Sequence, residues 1–226
     1  MIELVTDALR FWTLIAELAG GAITFSAAAF QRAAFSSEAQ SAALAIAFFA
    51  GVSEMLGQSI ILVINRVALY RFIASLALTG FTYVLTALAW AVSAIAVAPM
   101  TRLGVLTPSE IGAVIGVVAV AFSPRLFGFV AMAPYFGQAL GNLLEAFAMV
   151  LVIFGLHAGL GLPLPAALFC GGAGWVLSYA SRAWLGHAMA APLGRLRLAV
   201  SGSALDRSPK QILDDLARRL GVEGER

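Results

Sequence analysis

SAALAIAFFAGVSEMLGQSIILVIN, residues 41–65, carries a single ionisable side chain, Glu54. A helix needs about 20 apolar residues to cross the hydrocarbon core of a bilayer. In lipid every backbone N–H and C=O must also be satisfied within the segment, which favours a helix. Comparable runs recur as far as Leu185, so the spacing predicts five spans: Ala42–Asn65, Phe72–Ala98, Ile111–Met132, Gly137–Ala158 and Leu164–Leu185. The expected fold class is all-α, a polytopic transmembrane helix bundle of about five spans plus a peripheral N-terminal helix and a cytoplasmic tail helix.

Composition agrees with this class. Of 226 residues, 61% are hydrophobic and 12% charged, against about 25% charged in a soluble domain. The N-terminal residues 1–40 form an amphipathic or interfacial segment, 41–186 the transmembrane domain, and 187–226 a cytoplasmic tail. Within the first part, Phe11–Phe30 is long enough to span. However, Thr13, Glu17, Gly20, Gly21 and Thr24 recur at helical spacing, opposite Phe11, Trp12, Leu14, Ile15 and Leu18. That division favours a helix in the interface or packed on the bundle over a sixth span. Ser36-Ser37-Glu38 is a break followed by a helix start. Met1-Ile2-Glu3-Leu4 lacks a basic start, so no cleavable signal peptide is expected.

Short connections make neighbouring spans antiparallel, and arginine placement then sets the orientation. Arg66, Arg71, Arg182, Arg195, Arg197, Arg207, Lys210, Arg218, Arg219 and Arg226 fall on one side, against Arg10, Arg32 and Arg102 on the other. The C-terminus is expected to be cytoplasmic and the protein multi-pass, in a bacterial plasma membrane or an internal membrane. In the tail, Ser208-Pro209-Lys210-Gln211 is a helix start. Ile212, Leu213, Leu216 and Leu220 make an apolar stripe, and Gly221 a stop. This amphipathic helix over 208–221 can dock on the bundle or on lipid, or recruit a cytoplasmic protein. Glycine pairs at Gly112/Gly116 and Gly137/Gly141, with Gly171, Gly172 and Gly174, are packing signals that permit helix pairing within one chain or between chains.

Polar residues inside the spans need partners, because a charge in hydrocarbon costs a few kcal/mol even on insertion scales. In the first span Glu54, Gln58 and Asn65 share a face. In the third, Ser123-Pro124-Arg125 interrupts an apolar run, and the proline frees a backbone carbonyl that Ser123 or a neighbouring helix can satisfy. In the fourth, Gln138, Asn142 and Glu145 recur at i, i+4 and i+7. Together these predict an intramembrane polar network in which Arg125 neutralises one of Glu54 and Glu145. The other carboxylate must then carry a proton or reach water. A structural clamp between helices, a transport path lined by Glu54, Gln58, Arg125, Asn142 and Glu145, and a lipid-headgroup or small-ligand site all fit this set.

Elsewhere the chemistry is sparse. His157 closes the fourth span as an interfacial histidine, His187 lies in the tail, and Cys170 is a small buried residue. The sequence contains no HExxH, GxSxG, P-loop or post-strand GxGxxG pattern. No enzyme activity, cofactor, metal site or nucleic-acid partner is expected; membrane lipid is the expected partner.

The stretches Leu56-Gly57-Gln58-Ser59 with Asn65-Arg66-Val67, Arg71-Phe72, Phe122-Ser123-Pro124-Arg125-Leu126-Phe127 and Ala133-Pro134-Tyr135-Phe136-Gly137 resemble bacterial members of the Yip family. These are multi-span relatives of eukaryotic proteins that interact with Ypt/Rab GTPases. The resemblance covers roughly Gly51 to Leu185. It implies a five-helix membrane bundle without established catalytic residues and, in eukaryotes, roles in vesicle trafficking and membrane shaping. Two features depart from the family pattern: the region ahead of the first strong span is short, and the basic cytoplasmic end is the C-terminus. The resulting expectation is a non-enzymatic membrane-organising or scaffold protein, with a small transporter or channel as the alternative.

Overall fold

The computed structural model describes residues 2–64, 69–101, 110–132, 137–177 and 179–180. Asn65, Arg66, the Ala133-Pro134-Tyr135 turn, His187 and the tail helix expected over 208–221 lie outside them. The described residues are almost all helical, joined by short turns, with no strand among them. In chain order the helices are α1 (Ile2–Ile23), α2 (Ala27–Phe35), α3 (Ser37–Ile64), α4 (Leu69–Val97), α5 (Ile111–Val120), α6 (Gly137–Phe154) and α7 (Leu164–Leu177). A 3-10 segment, Ser123–Met132, follows α5, and a π-helical turn, Gly155–Gly159, closes α6.

Four stretches are long and apolar enough to cross a membrane: Ser37–Gly57, Phe72–Val97, Ile111–Val130 and Ala139–Gly159. The fifth expected span is described only as α7, an apolar helix of 14 residues counted from Leu164 to Leu177. At 1.5 Å per residue that is roughly 21 Å, short of the hydrocarbon thickness. Its expected continuation to Leu185 lies mostly outside the described residues.

The N-terminal segment differs from a single helix over Phe11–Phe30. The chain breaks at Thr24-Phe25-Ser26 and turns back as α2. Ser26 N–H donates to the Gly21 carbonyl at 2.8 Å and Phe25 N–H to the Ala22 carbonyl at 3.0 Å. This is the paired bonding of a Schellman helix end, a place where glycine is usual. Here Phe25 holds the left-handed conformation, at φ 58°. Its ring lies 5.3 Å edge-on from Phe154 and 5.8 Å from Phe147. A left-handed non-glycine residue costs about 1–2 kcal/mol, whereas two aromatic contacts contribute about 0.5–1.5 kcal/mol each. The side chain therefore offsets what its backbone conformation costs.

Both N-terminal helices join the core. Leu14, Ile15, Leu18, Ala19 and Ala22 of α1 are buried, while Trp12 is half exposed and tilts on Phe49 of α3. From α2, Phe30 is fully buried, edge-on to Phe154 at 5.6 Å. Gln31 Nε2 donates to the Ala158 carbonyl in the π turn at 3.3 Å. Between α2 and α3, the Ser36 hydroxyl accepts from Ala39 N–H at 3.4 Å, and α3 starts at Ser37, within the break and helix start expected at Ser36-Ser37-Glu38. Gln40 Nε2 spans the break to the Ala34 carbonyl at 2.7 Å.

The third span is the other departure. It is α-helical only to Val120; from Ser123 it continues as ten residues of 3-10 helix. Pro124 has no N–H to give Val120, and the Ser123 hydroxyl donates to that carbonyl instead. Around this joint Phe122 is fully buried, 6.0 Å from both Tyr83 and Trp90. Trp90 Nε1 in turn donates to the Gly171 carbonyl at 3.2 Å, tying α4 to α7.

Small residues set how closely the helices approach. Gly116 faces the Ala33 carbonyl so tightly that an added Cβ would collide with its oxygen, and Gly174 leaves only 3.2 Å for a Cβ beside Ala94 and Trp90. Gly141 and Gly172, by contrast, have nothing within 4 Å, so neither is a point of close packing within the chain. Gly116→Ala should lower stability by about 1–3 kcal/mol, because a backbone atom must move. Gly20→Ala, with open space at its Cβ, should hold or gain stability through helix propensity. Thermal unfolding of the two variants in detergent measures the contrast.

Candidate functional site: a shared-arginine clamp

Three spans converge on Arg125. The 3-10 segment presents its guanidinium with the side chain 12% exposed, and Nη2 donates to Glu54 Oε2 of α3 at 3.3 Å. The same nitrogen lies 4.0 Å from Glu145 Oε2 of α6. That distance is a Coulombic contact, beyond hydrogen-bonding range. The sequence predicts that Arg125 neutralises one carboxylate; it stands between both. Glu145 receives a further bond, as Trp175 Nε1 of α7 donates to its Oε1 at 3.3 Å. From α4, the Tyr83 ring lies beneath the guanidinium with its centroid 4.8 Å away, a cation–π contact. One side chain thus links α3, α4, α6 and the 3-10 segment, and α7 joins through Glu145.

Depth follows from the span limits. Glu54 lies three residues before Gly57, Arg125 five before Val130, and Glu145 six after Ala139. At α and 3-10 rises this is roughly 5–10 Å inside the apolar limits. Adjacent antiparallel spans put all three at the same face. The carboxylates are 32% and 27% exposed, more open than the arginine between them. Two carboxylates and one guanidinium leave one formal negative charge.

A second set of contacts positions the clamp. The Ser53 hydroxyl, beside Glu54, donates to the Leu126 carbonyl at 2.6 Å and accepts from Phe129 N–H at 3.1 Å. Gly57 would place a Cβ 3.0 Å from the Gly128 carbonyl oxygen, and Gly128 would place one 3.2 Å from the Glu54 backbone. Backbone therefore meets backbone along Ser53–Gly57, and the carboxylate of Glu54 arrives at Arg125 because of it.

Of the other expected network members, Ser123 is buried on Val120 and serves the helix joint instead of the ion pairs. Asn142 is exposed on α6, three residues before Glu145. Gln58 and Gln138 belong to α3 and α6 by their backbones, and their side chains, like Asn65, lie outside the description. Ser53, Tyr83 and Trp175 were not anticipated. The adjacency of Ser53 to Glu54 and the presence of aromatic residues in the neighbouring spans were the available signals. At the other end, His157 Nδ1 donates to the Leu162 carbonyl at 2.7 Å, which fixes the turn after α6. Among the described residues, no buried side-chain nitrogen or oxygen lacks a hydrogen-bond partner.

No family model, curated protein or solved structure matches the chain. The four apolar spans and the all-helical packing define an integral, multi-pass membrane protein.

Arg125→Met would leave two carboxylates without their cation. Breaking a buried pair in this way costs about 3–5 kcal/mol, and the partial exposure of both glutamates puts the expected loss at the low end. The charge-free set Glu54→Gln/Arg125→Met/Glu145→Gln should lose less than the single replacement. Unfolding midpoints in detergent compare the two, and a larger loss in the triple variant would overturn the pairing.

Proposed function

We propose that this chain is a non-enzymatic membrane-organising or scaffold protein of Yip-like type, in which the Glu54–Arg125–Glu145 set holds the bundle together. The observation that carries this reading is the position of Arg125. One guanidinium engages both carboxylates and an aromatic ring, so the most costly charge in the spans is spent on helix-to-helix contacts. Supporting it, the Ser53 hydroxyl and the tryptophan N–H of Trp175 are likewise used between helices. The excess of basic residues in the tail and at Arg66 and Arg71 supports a cytoplasmic C-terminus, on the same side as the clamp. The amphipathic helix expected over 208–221 then meets lipid headgroups or a cytoplasmic protein there.

A transport path is the second reading. It rests on one observation: the clamp carries two carboxylates to one guanidinium, and both are partly exposed. Water entering along Glu54 and Glu145 would make them accessible to ions.

Single cysteines at Ser53, Glu54, Asn142 and Glu145, introduced one at a time into a Cys170→Ala background, separate the two. The scaffold reading expects Ser53 and Glu54 to stay protected from a membrane-impermeant thiol reagent in folded, inserted protein. Periodic labelling along both α3 and α6 would replace it with the transport reading. Removing residues 208–226 should abolish the association of the tail with membrane or partner while leaving the bundle's unfolding midpoint unchanged.

A further inference from the structure

The 3-10 segment is long for its kind, since such runs rarely exceed three or four residues and a 3-10 stretch within a helix often marks a hinge. Its own sequence favours something else. Ser123-Pro124 is a helix-start pair, with serine as cap and proline at the first helical position, where its missing N–H costs nothing. Leu126, Ala131 and Met132 are good α-helix formers, and Gly128 is the one poor residue in the interior. Local preference and observed conformation therefore disagree over these ten residues.

What opposes the local preference comes from α3 and α6. In a 3-10 helix Phe129 N–H would reach the Leu126 carbonyl directly. Here the Ser53 hydroxyl stands between them and bonds to both. An α-helix would pair those two groups with different residues and expel the serine. Arg125, one residue before Leu126, is held by Glu54 and Glu145, while Gly128 lies against the α3 backbone. The serine bridge joins the i, i+3 pair that a 3-10 turn brings together, and the other contacts hold the same stretch against α3 and α6.

We propose that Ser123–Met132 is a two-state element, locked as a 3-10 helix by Ser53 and the Arg125 clamp and able to rewind to an α-helix when that lock opens. Ten residues rising 2.0 Å each span about 20 Å, against about 15 Å in an α-helix. Rewinding draws the chain leading to α6 about 5 Å toward α5 and turns Phe127, Phe129 and Val130, now exposed, to new directions. The Glu54 and Glu145 carboxylates hold the lock closed, and anything that takes them from Arg125 opens it. This proposal stands whether the protein organises membrane or moves an ion.

Spin labels at Ile111→Cys and Val130→Cys in a Cys170→Ala background, both at exposed sites, report the length of the third span in lipid nanodiscs. The unlocked variant Ser53→Ala/Arg125→Gln should show a pulsed-EPR distance about 4 Å shorter than the parent, from eight residues shortened by 0.5 Å each. An unchanged distance in folded protein overturns the proposal, as does a parent whose main distance is already the short one. Should the double variant fail to fold, Ser53→Ala alone decides. A new short population supports the lock, and a single parental distance refutes it.

Discussion

The contact on which the bundle depends is the edge where α3 meets the 3-10 segment, from Ser53 to Gly57 against Leu126 to Phe129. Two glycines bring the backbones within van der Waals reach, and a serine hydroxyl supplies hydrogen bonds that the segment does not make for itself. Everything charged in the site follows from that approach. Glu54 is placed by its neighbour Ser53, Arg125 by its neighbour Leu126, and their ion pair closes an angle already fixed by backbone. In hydrocarbon, where one apolar surface competes poorly against another, such polar and small-residue contacts decide which helices associate.

Sharing one arginine between two carboxylates has a second effect. A guanidinium offers five donors in a planar fork, so it can serve partners on separate helices where an ammonium would serve one well. The Tyr83 ring takes the face of the fork and the two glutamates lie toward Nη2. Four helices are thereby coupled through a group that is itself nearly buried, while the more open carboxylates meet the surroundings.

Much of this architecture is legible in the chain itself. Apolar length alone marks α3, α4, α5 with its 3-10 extension, and α6, because lipid imposes a minimum run that few other environments require. Glu54 and Glu145, each on a polar helix face, with Arg125 the one arginine or lysine within the first four expected spans, point to a common site. Ser123-Pro124 marks the joint in the third span. The conformation beyond it is not readable, since Leu126–Met132 carries no local signal for a 3-10 helix and the serine that bonds to it lies 73 residues before Leu126. Trp175 and Tyr83 escape notice for a related reason: an aromatic residue in an apolar span has the same composition whether it faces lipid or an ion. The turn at Phe25 is hidden because a phenylalanine occupies the place where glycine would announce a helix end.

That turn also bears on how the protein is made. The hairpin of α1 and α2 is synthesised ahead of the spans, but Phe25 and Phe30 pack on Phe154, and Phe30 meets the glycines of the π turn. Those partners emerge more than a hundred residues later, a delay of roughly 10 s at ordinary synthesis rates. The helix α1 can meet α3 well before then, through Trp12 and Phe49, but Phe25 and Phe30 must wait for their ring partners. The aromatic contacts of the hairpin with Phe154 are thus among the last of the bundle to form.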